Sequence, residues 1–127
     1  MNDHPYDILV TNGIVLSMDS EATTFETGAV AVKKDKIASV GHADDFSPRD
    51  ASKIIDAHGG IIMPGLINCH THAAMTCFRG LADDLPLMIW LNDYIFPAES
   101  MLDEDMVYFG SLLACAEMIM SGTTCFT

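Results

Sequence analysis

The sequence predicts an α/β chain in two parts: a β-rich segment over residues 1–60 and the start of a parallel α/β unit over residues 61–127. Two observations carry this prediction. Short apolar runs separated by tight turns fill the first part, which is typical of small β-sandwiches and open barrels. In the second part an apolar run, a long segment of helical periodicity and another apolar run follow one another, which predicts a right-handed βαβ unit.

The strands of the first part are predicted from its turn signals. Asn12 and Gly13 lie between two apolar runs and both accept positive φ, so residues 6–18 are predicted to form a β-hairpin. Residues 28–41 are predicted to form a second strand pair around a charged turn, and residues 53–57 a further short strand.

The second part is predicted from a strand, a helix and another strand. Residues 66–70 indicate a buried strand with little alternation of polarity. Asp103 is expected to cap a helix over residues 104–120, which Gly122 ends before a strand that begins at residue 123. Apolar residues recur in this helix at a period close to 3.6: Met106, Phe109, Leu113, Ala116 and Met120.

A shorter helix is expected between these elements, over residues 85–95. Asp83 or Asp84 is the expected cap of this helix, because a carboxylate accepts hydrogen bonds from the first backbone N–H groups of a helix. Pro97 is expected to end it, because proline has no N–H to continue the helical hydrogen bonds.

Composition restricts the partners that the protein can have. Acidic residues outnumber basic residues 18 to 6, which gives a formal net charge of −12 with neutral histidines. Binding to nucleic acid or to an anionic membrane needs clustered Lys and Arg, so neither partner is expected. A hydrophobic fraction of 50% excludes intrinsic disorder. The 127 residues are too few for a complete (β/α)8 barrel, which needs roughly 250.

The chain shows no sign of export or membrane insertion. It begins without a basic and apolar leader, and no apolar stretch reaches the roughly 18 residues that a spanning helix needs. Its cysteines form no C-x-x-C pair and are predicted to be reduced, mostly buried thiols of a cytoplasmic protein. They are Cys69, Cys77, Cys115 and Cys125.

His70 and His72 give the main chemical signal, at the carboxyl end of the predicted strand 66–70. Residues two apart in a strand face the same side, so both imidazoles are expected to project together. Two such groups can bind one metal ion at ~2.0–2.1 Å, and active sites of α/β barrels lie at this end of the strands. The alternative is a pair of loop histidines that bond to the backbone.

The segment MPGLINCHTH of residues 63–72 resembles the first barrel strand of the amidohydrolase superfamily. The segment FRGLADDLPLMIWL of residues 78–91 narrows the resemblance to the 5-methylthioadenosine/S-adenosylhomocysteine deaminases and the neighbouring chlorohydrolase-type (triazine hydrolase) enzymes. The resemblance extends from about Asp7 to Thr127, which is nearly the whole chain.

The resemblance implies a composite fold. Residues 1–60 would belong to a β-sandwich that is built from segments before and after a (β/α)8 barrel, and residues 61–127 would begin that barrel. Because the chain stops inside its last predicted strand, we expect it to be the N-terminal portion of a longer protein and to be inactive alone.

The resemblance also implies the chemistry. His70 and His72 would hold one divalent metal, usually zinc, together with a histidine and an aspartate from later strands. The metal would activate water for attack on the purine carbon that carries the amine, which releases ammonia, while a later glutamate shuttles protons. The catalytic residues are therefore expected beyond Thr127.

Two further positions match substrate contacts of the family. Glu99 matches a carboxylate that accepts hydrogen bonds from the ribose hydroxyls. Its position alone favours a solvated acid before a helix, and the resemblance reverses that interpretation. Trp90 matches an aromatic residue that packs on the nucleoside. The alternative for Trp90 is a core aromatic residue of the helix over residues 85–95.

The expected function is hydrolytic deamination of adenine nucleoside thioethers, such as S-adenosylhomocysteine and 5-methylthioadenosine. Two alternatives stay open: another amidohydrolase of the guanine or triazine type, and a non-catalytic fragment that uses the scaffold for assembly. Glu99 favours the first function, because a substrate without ribose has no use for it. The expected partner is a small nucleoside, and a homo-oligomer is a further alternative, since members of the family often assemble.

Overall fold

The computed structural model describes residues 4–127 and divides into two compact units, of which the first ends at Pro64 and the second begins at Gly65. Together the described residues form an α/β protein. Within these residues, no helix combines the length and the apolar character needed to cross a lipid bilayer.

The first unit is built on one mixed sheet with the strand order β3-β2-β1-β4, in which β5 also pairs with β1. Strands β1, β2 and β3 are antiparallel neighbours, whereas β4 and β5 run parallel to β1. The antiparallel pair predicted over residues 28–41 and the short strand predicted over residues 53–57 are therefore present. The bounds are β1 Tyr6–Leu16, β2 Thr24–Lys33, β3 Lys36–His42, β4 Ala51–Asp56 and β5 Ile61–Ile62.

The hairpin predicted at Asn12 and Gly13 is wrong, because β1 continues through these residues as a bulge. Asn12 has a φ of 58°, and the pairing with β2 shifts register on both sides of Gly13. The Asn12 amide donates to Asp56 Oδ1 at 2.7 Å, and a Cβ on Gly13 would lie 2.7 Å from the Gly60 carbonyl oxygen. The positive φ and the small side chain thus serve close contact with the end of β4, not reversal of the chain.

The chain reverses instead at residues 17–23, where Asp19 organises the connection between β1 and β2. Asp19 Oδ1 accepts hydrogen bonds from the backbone N–H groups of Glu21 and Thr23, at 3.1 and 2.9 Å. The hydrogen bond from the Thr23 backbone is the main cause that lowers the pKa of Asp19 to about 2. A side chain that bonds its own backbone two residues on is a typical turn device.

This turn is expected to make stability depend on acid. The folded pKa of Asp19, about 2, lies below its ordinary value of 3.8, so the ionised carboxylate stabilises the fold above pH 3.8. The advantage is lost as the pH falls through about 2. At neutral pH we expect the wild-type protein to have a larger free energy of unfolding than Asp19→Asn. This difference should shrink as the pH falls from 3.8 through about 2. Urea unfolding at several pH values measures it, and a difference that stays constant contradicts the role.

The core of the first unit is a small apolar cluster. Leu9, Ala29, Ala31 and Ala51 are buried, and Tyr6, Ala43 and Phe46 pack against them. Three of the four buried residues are alanines, so this core is built mainly from small side chains.

The second unit contains the predicted βαβ arrangement. Strand β6, Leu66–Asn68, pairs in parallel with strand β7, Thr123–Phe126, and the long helix lies between them in the chain. Strand β6 is two residues shorter than predicted. Asn68 Oδ1 accepts a hydrogen bond from the His70 backbone N–H at 3.2 Å, and this side-chain turn bends the chain out of the strand.

The middle of this unit is helical for longer than predicted. Helix α1, Leu87–Ile89, leads into a π-helical stretch, Trp90–Ile95, and then into helix α2, Phe96–Glu99. Pro97 therefore does not end the helix; it lies in the first turn of α2, where a missing N–H is tolerated. The expected cap is also wrong, because Pro86 occupies the N-cap position and no side chain caps α1.

Helix α3, Glu104–Met120, matches the prediction at both ends. The Asp103 carboxylate accepts a hydrogen bond from the Met106 backbone N–H at 2.8 Å, and Gly122 follows the helix with a φ of 88°. The predicted apolar face is not the covered face, because the buried residues of α3 are Gly110 and Ala114. At Gly110 a larger residue would not fit, because the backbone of Ala74 lies directly against it.

The exposed face of α3 predicts self-association of the chain of residues 1–127. Phe109 is 63% exposed and Leu112 47% exposed, so apolar surface of α3 faces water. We expect concentration-dependent oligomers in sedimentation velocity, reduced when Phe109 and Leu112 are both replaced by Glu. Asp105→Asn on the same helix is the control. A wild-type chain that stays monomeric at every concentration contradicts this expectation.

The four cysteines are free thiols, but the prediction that most are buried is wrong. Cys69, Cys77 and Cys125 are exposed, and Cys115 is half-buried. Cys69 and Cys125 lie on or beside the two-stranded sheet, whose strands are largely exposed in this structure.

Candidate metal and substrate site

His70 and His72 lie in the bend that follows β6. Their ring centroids are 5.3 Å apart, and the ring planes make an angle of 66°. Both residues are exposed. The two imidazoles therefore lie side by side as predicted, although a turn rather than the pleat of a strand brings them together.

The ends of β6 and β7 hold the bend on one side. Beyond the Asn68 turn, the Thr127 backbone N–H donates to the Asn68 carbonyl oxygen at 3.1 Å, and the Thr127 hydroxyl donates to the Cys69 carbonyl oxygen at 3.2 Å. On the other side the bend passes into a 3-10 helix, Ala73–Phe78, for which His72 is the N-cap. His70 is thus attached to the sheet and His72 to the 3-10 helix.

A cavity of about 330 Å³ in the second unit is lined by both His72 and Trp90. Trp90 is half-buried at the start of the π-helical stretch, and its indole N–H donates to the Leu81 carbonyl oxygen at 3.2 Å. This bond holds the loop before α1 against the tryptophan. The structure therefore places Trp90 in a cavity wall that it shares with one of the predicted metal ligands.

Glu99 is the last residue of α2 and is half-buried. Its carbonyl oxygen accepts a hydrogen bond from the Leu102 backbone N–H at 3.1 Å, which ends the helix in a turn. Among the described residues, those that line the cavity of His72 and Trp90 do not include Glu99. The structure thus brings three of the four predicted site residues into two adjoining features, the bend and the cavity, and leaves Glu99 on the next helix.

Sequence reasoning missed two charged residues of this region. Asp83, expected to cap a helix, lines the cavity with His72. Arg79 also lines it and forms an ion pair with Glu117 of α3, with 2.6 Å between Nη2 and Oε2. The hydrogen bond between them raises the pKa of Arg79 and lowers the pKa of Glu117. The one available signal was that Arg79 is the single basic residue of residues 61–127.

The donor set is consistent with part of a zinc site. Neutral imidazole nitrogens are common zinc ligands, and two imidazole rings lie side by side here. Within residues 4–127, no group of three or more His, Cys, Asp and Glu side chains is arranged to hold a metal ion. Catalytic zinc sites usually have three protein ligands, so this pair supplies an incomplete set.

The second unit matches a known protein family in sequence. The family model described as "Amidohydrolase family" matches residues 61–127, more than half of the chain, and the chain belongs to this family.

Relatives within the family carry deaminase names. The chain is 56% identical over 124 residues to the 5-methylthioadenosine/S-adenosylhomocysteine deaminase of Syntrophobacter fumaroxidans, covering 94% of this chain and 28% of that protein. It is 51% identical over 120 residues to the 5'-deoxyadenosine deaminase of Methanosarcina acetivorans, covering 94% of this chain and 27% of that protein. The chain therefore spans little more than a quarter of the length of these relatives.

Solved structures have the same fold over this length. An adenosine deaminase of Xanthomonas campestris with bound zinc is 37% identical, with a TM-score of 0.78, and the match covers 98% of this chain and 29% of that one. The zinc complex of atrazine chlorohydrolase TrzN of Arthrobacter aurescens is 24% identical, with a TM-score of 0.81 over 94% of this chain and 28% of that one. The second likeness concerns the fold alone.

Proposed function

We propose that the protein is a metal-dependent hydrolase that removes the amino group from adenine nucleosides altered at the 5' position, such as 5-methylthioadenosine and S-adenosylhomocysteine. The observation that carries the proposal is the pair of imidazoles 5.3 Å apart, one of which lines a cavity shared with Trp90. Relatives above 50% identity named as deaminases of such nucleosides support it.

The proposal includes the architecture. Strand β6, helix α3 and strand β7 would be the first βαβ unit of a (β/α)8 barrel, with residues 61–127 as the start of the barrel domain. Residues 1–60 would contribute a segment of a composite β-sandwich. The boundary between the two compact units after Pro64 supports this division.

His70 and His72 would hold one divalent ion, most simply zinc, with further ligands from other parts of the assembled protein. When bound, such an ion lowers the pKa of water toward ~7 and so supplies a nucleophile at neutral pH. The closeness of the two exposed histidines supports their joint place in such a ligand set. Acid and base groups for proton transfer would likewise come from outside the described residues.

Substrate binding would use the cavity and the helix beyond it. Trp90 has its indole N–H bonded to the Leu81 carbonyl oxygen, so its ring is held in one orientation as an apolar surface for a purine. Glu99 would accept hydrogen bonds from two ribose hydroxyls, for which a carboxylate is suited. The partner would be this small nucleoside, and the free thiols agree with a cytoplasmic location.

Ammonia release by the complete gene product tests the proposal. We expect turnover of 5-methylthioadenosine, S-adenosylhomocysteine and 5'-deoxyadenosine that a chelator abolishes and zinc restores. Guanine and a chlorotriazine are the comparison substrates, because they represent the alternative amidohydrolase activities and lack ribose. Turnover confined to the ribose-free compounds would overturn the substrate assignment, and no metal-dependent turnover of any compound would favour a non-catalytic role.

A further inference from the structure

The 3-10 helix Ala73–Phe78 begins directly after His72 and lies against helix α3. The Met75 backbone N–H donates to the His72 carbonyl oxygen at 2.9 Å, which joins the histidine to the first turn of this helix. Any movement of the 3-10 helix on α3 therefore displaces the backbone of His72. Strand β6 and the Asn68 turn hold His70 separately.

One attachment to α3 is a close backbone contact at Gly110. The Thr76 hydroxyl donates to the Gly110 carbonyl oxygen at 2.7 Å. Gly110 is buried, and a Cβ at this position would lie 2.5 Å from the Ala74 carbonyl oxygen. The 3-10 helix therefore rests on α3 at a point where no larger residue fits, and this contact sets how closely the two backbones approach.

The second attachment is a two-pronged ion pair at the far end of the same segment. Arg79 Nη1 lies 3.0 Å from Glu117 Oε1, and Arg79 Nη2 lies 2.6 Å from Glu117 Oε2. Arg79 is the C-cap residue of the 3-10 helix, and Glu117 is two turns beyond Gly110 on α3. Two parallel hydrogen bonds between planar groups fix orientation as well as distance.

We propose that Arg79 and Glu117 are positioning residues for the histidine pair. Together with the contact at Gly110, the ion pair fixes the rotation of the 3-10 helix on α3 and so sets the orientation of His72 relative to His70. This inference rests on the proposed function, in which both histidines hold a metal. Groups that orient metal ligands without touching the metal typically change metal affinity 10–100-fold when they are mutated.

An ordinary surface ion pair is the competing interpretation, since Arg79 and Glu117 side chains are 65% and 44% exposed. The chain contains a matched control in the first unit. Lys33 Nζ and Asp7 Oδ1 are 3.3 Å apart, with side chains 41% and 45% exposed, and they lie far in sequence from the histidines. An exposed ion pair contributes little to global stability, whether or not it positions a ligand. Zinc affinity and the hydrogen exchange of the Met75 amide therefore distinguish the two interpretations.

The experiment uses the complete gene product with Glu117→Gln, Arg79→Lys, the charge exchange Arg79→Glu/Glu117→Arg, and Asp7→Asn as the control. Zinc affinity is measured by competition with a chromophoric chelator, and geometry by the visible spectrum of the cobalt form. We expect zinc affinity to fall about 10–100-fold in Glu117→Gln, with altered cobalt bands. Arg79→Lys should lose part of the zinc affinity, because an ammonium group cannot form two parallel hydrogen bonds with the Glu117 carboxylate. The double variant Arg79→Glu/Glu117→Arg should restore much of the zinc affinity.

A readout without metal keeps the inference testable on its own. Hydrogen exchange at the Met75 amide reports the bond to the His72 carbonyl oxygen in the metal-free protein. We expect faster exchange in Glu117→Gln and wild-type exchange in Asp7→Asn. Wild-type zinc affinity, cobalt spectrum and Met75 exchange in Glu117→Gln would overturn the inference, as would an equal effect of Asp7→Asn.

His70→Ala and His72→Ala separate this inference from the proposed function. If both lose zinc while Glu117→Gln behaves as wild type, the positioning role is wrong and the metal site stands. If both retain zinc, the metal site is wrong, and the metal-related part of the positioning role is overturned with it. Unchanged Met75 exchange would then reject the structural part as well.

Discussion

Replacing His70 or His72 with alanine is expected to abolish metal binding at the proposed site and nearly all ammonia release. In the proposed site each histidine would supply one of few ligands, and the nucleophile at neutral pH would depend on the metal. Loss of several kcal/mol of metal-derived stabilisation corresponds to a decrease in kcat/KM on the order of a thousandfold or more. Metal content by mass spectrometry and turnover of the complete gene product measure both effects.

His58→Ala is the matched control for this result. His58 is an exposed histidine of the first unit, with its side chain 84% exposed and paired with Asp56 at 3.5 Å. We expect it to retain wild-type metal content and turnover. Full metal occupancy and full activity in both His70→Ala and His72→Ala would contradict the assignment of the metal site.

Glu99→Gln is expected to lower kcat/KM for nucleosides far more than kcat/KM for ribose-free adenine analogues. A lost hydrogen bond to a charged group costs ~1.5–3 kcal/mol, which is roughly ten- to a hundredfold in kcat/KM. Glu99 is the half-buried last residue of α2. Steady-state kinetics on the two substrate classes measure the difference.

The control for Glu99 is Glu104→Gln, at the start of α3. Glu104 is an exposed acid of the first helical turn, so its substitution should leave both substrate classes unaffected. Equal losses on nucleosides and on ribose-free compounds in Glu99→Gln would argue against contact with the ribose.

Elements with local signals are the ones that the sequence predicts correctly. Helix α3 begins at a capping aspartate and ends before a glycine in the left-handed region, and both signals lie within a few residues of the ends that they determine. The parallel pairing of β6 and β7 follows from the strand-helix-strand order. The rings of His70 and His72 lie close together, but the reason predicted for this, the two-residue period of a strand, does not apply in the bend after β6.

The errors arise where distant residues decide the outcome. Asn12 and Gly13 have the residue types of a tight turn, but contacts with Asp56 and Gly60 make them a bulge. The buried residues of α3 are Gly110 and Ala114. At Gly110 the 3-10 helix Ala73–Phe78 presents the backbone of Ala74 to α3.

The candidate site shows the same limit. Arg79 and Glu117 are 38 residues apart, and no periodicity relates a loop residue to one on a later helix. The shared cavity of His72 and Trp90 depends likewise on how the loop before α1 folds back. Residue types and spacing therefore single out His70 and His72 as candidate ligands, whereas the residues that hold their backbone in place become visible only in three dimensions.

The bulge in β1 also limits where homologous sequences can gain or lose residues. The edge of β1 pairs with β4 before the bulge, as Ile8 with Lys53, and with β5 after it, as Ile14 with Ile61. Removing or adding one residue between these pairings would turn every side chain on one side of the change to the opposite face. Homologous sequences should therefore show substitutions in this strand but a constant number of residues, with insertions confined to connections such as residues 17–23.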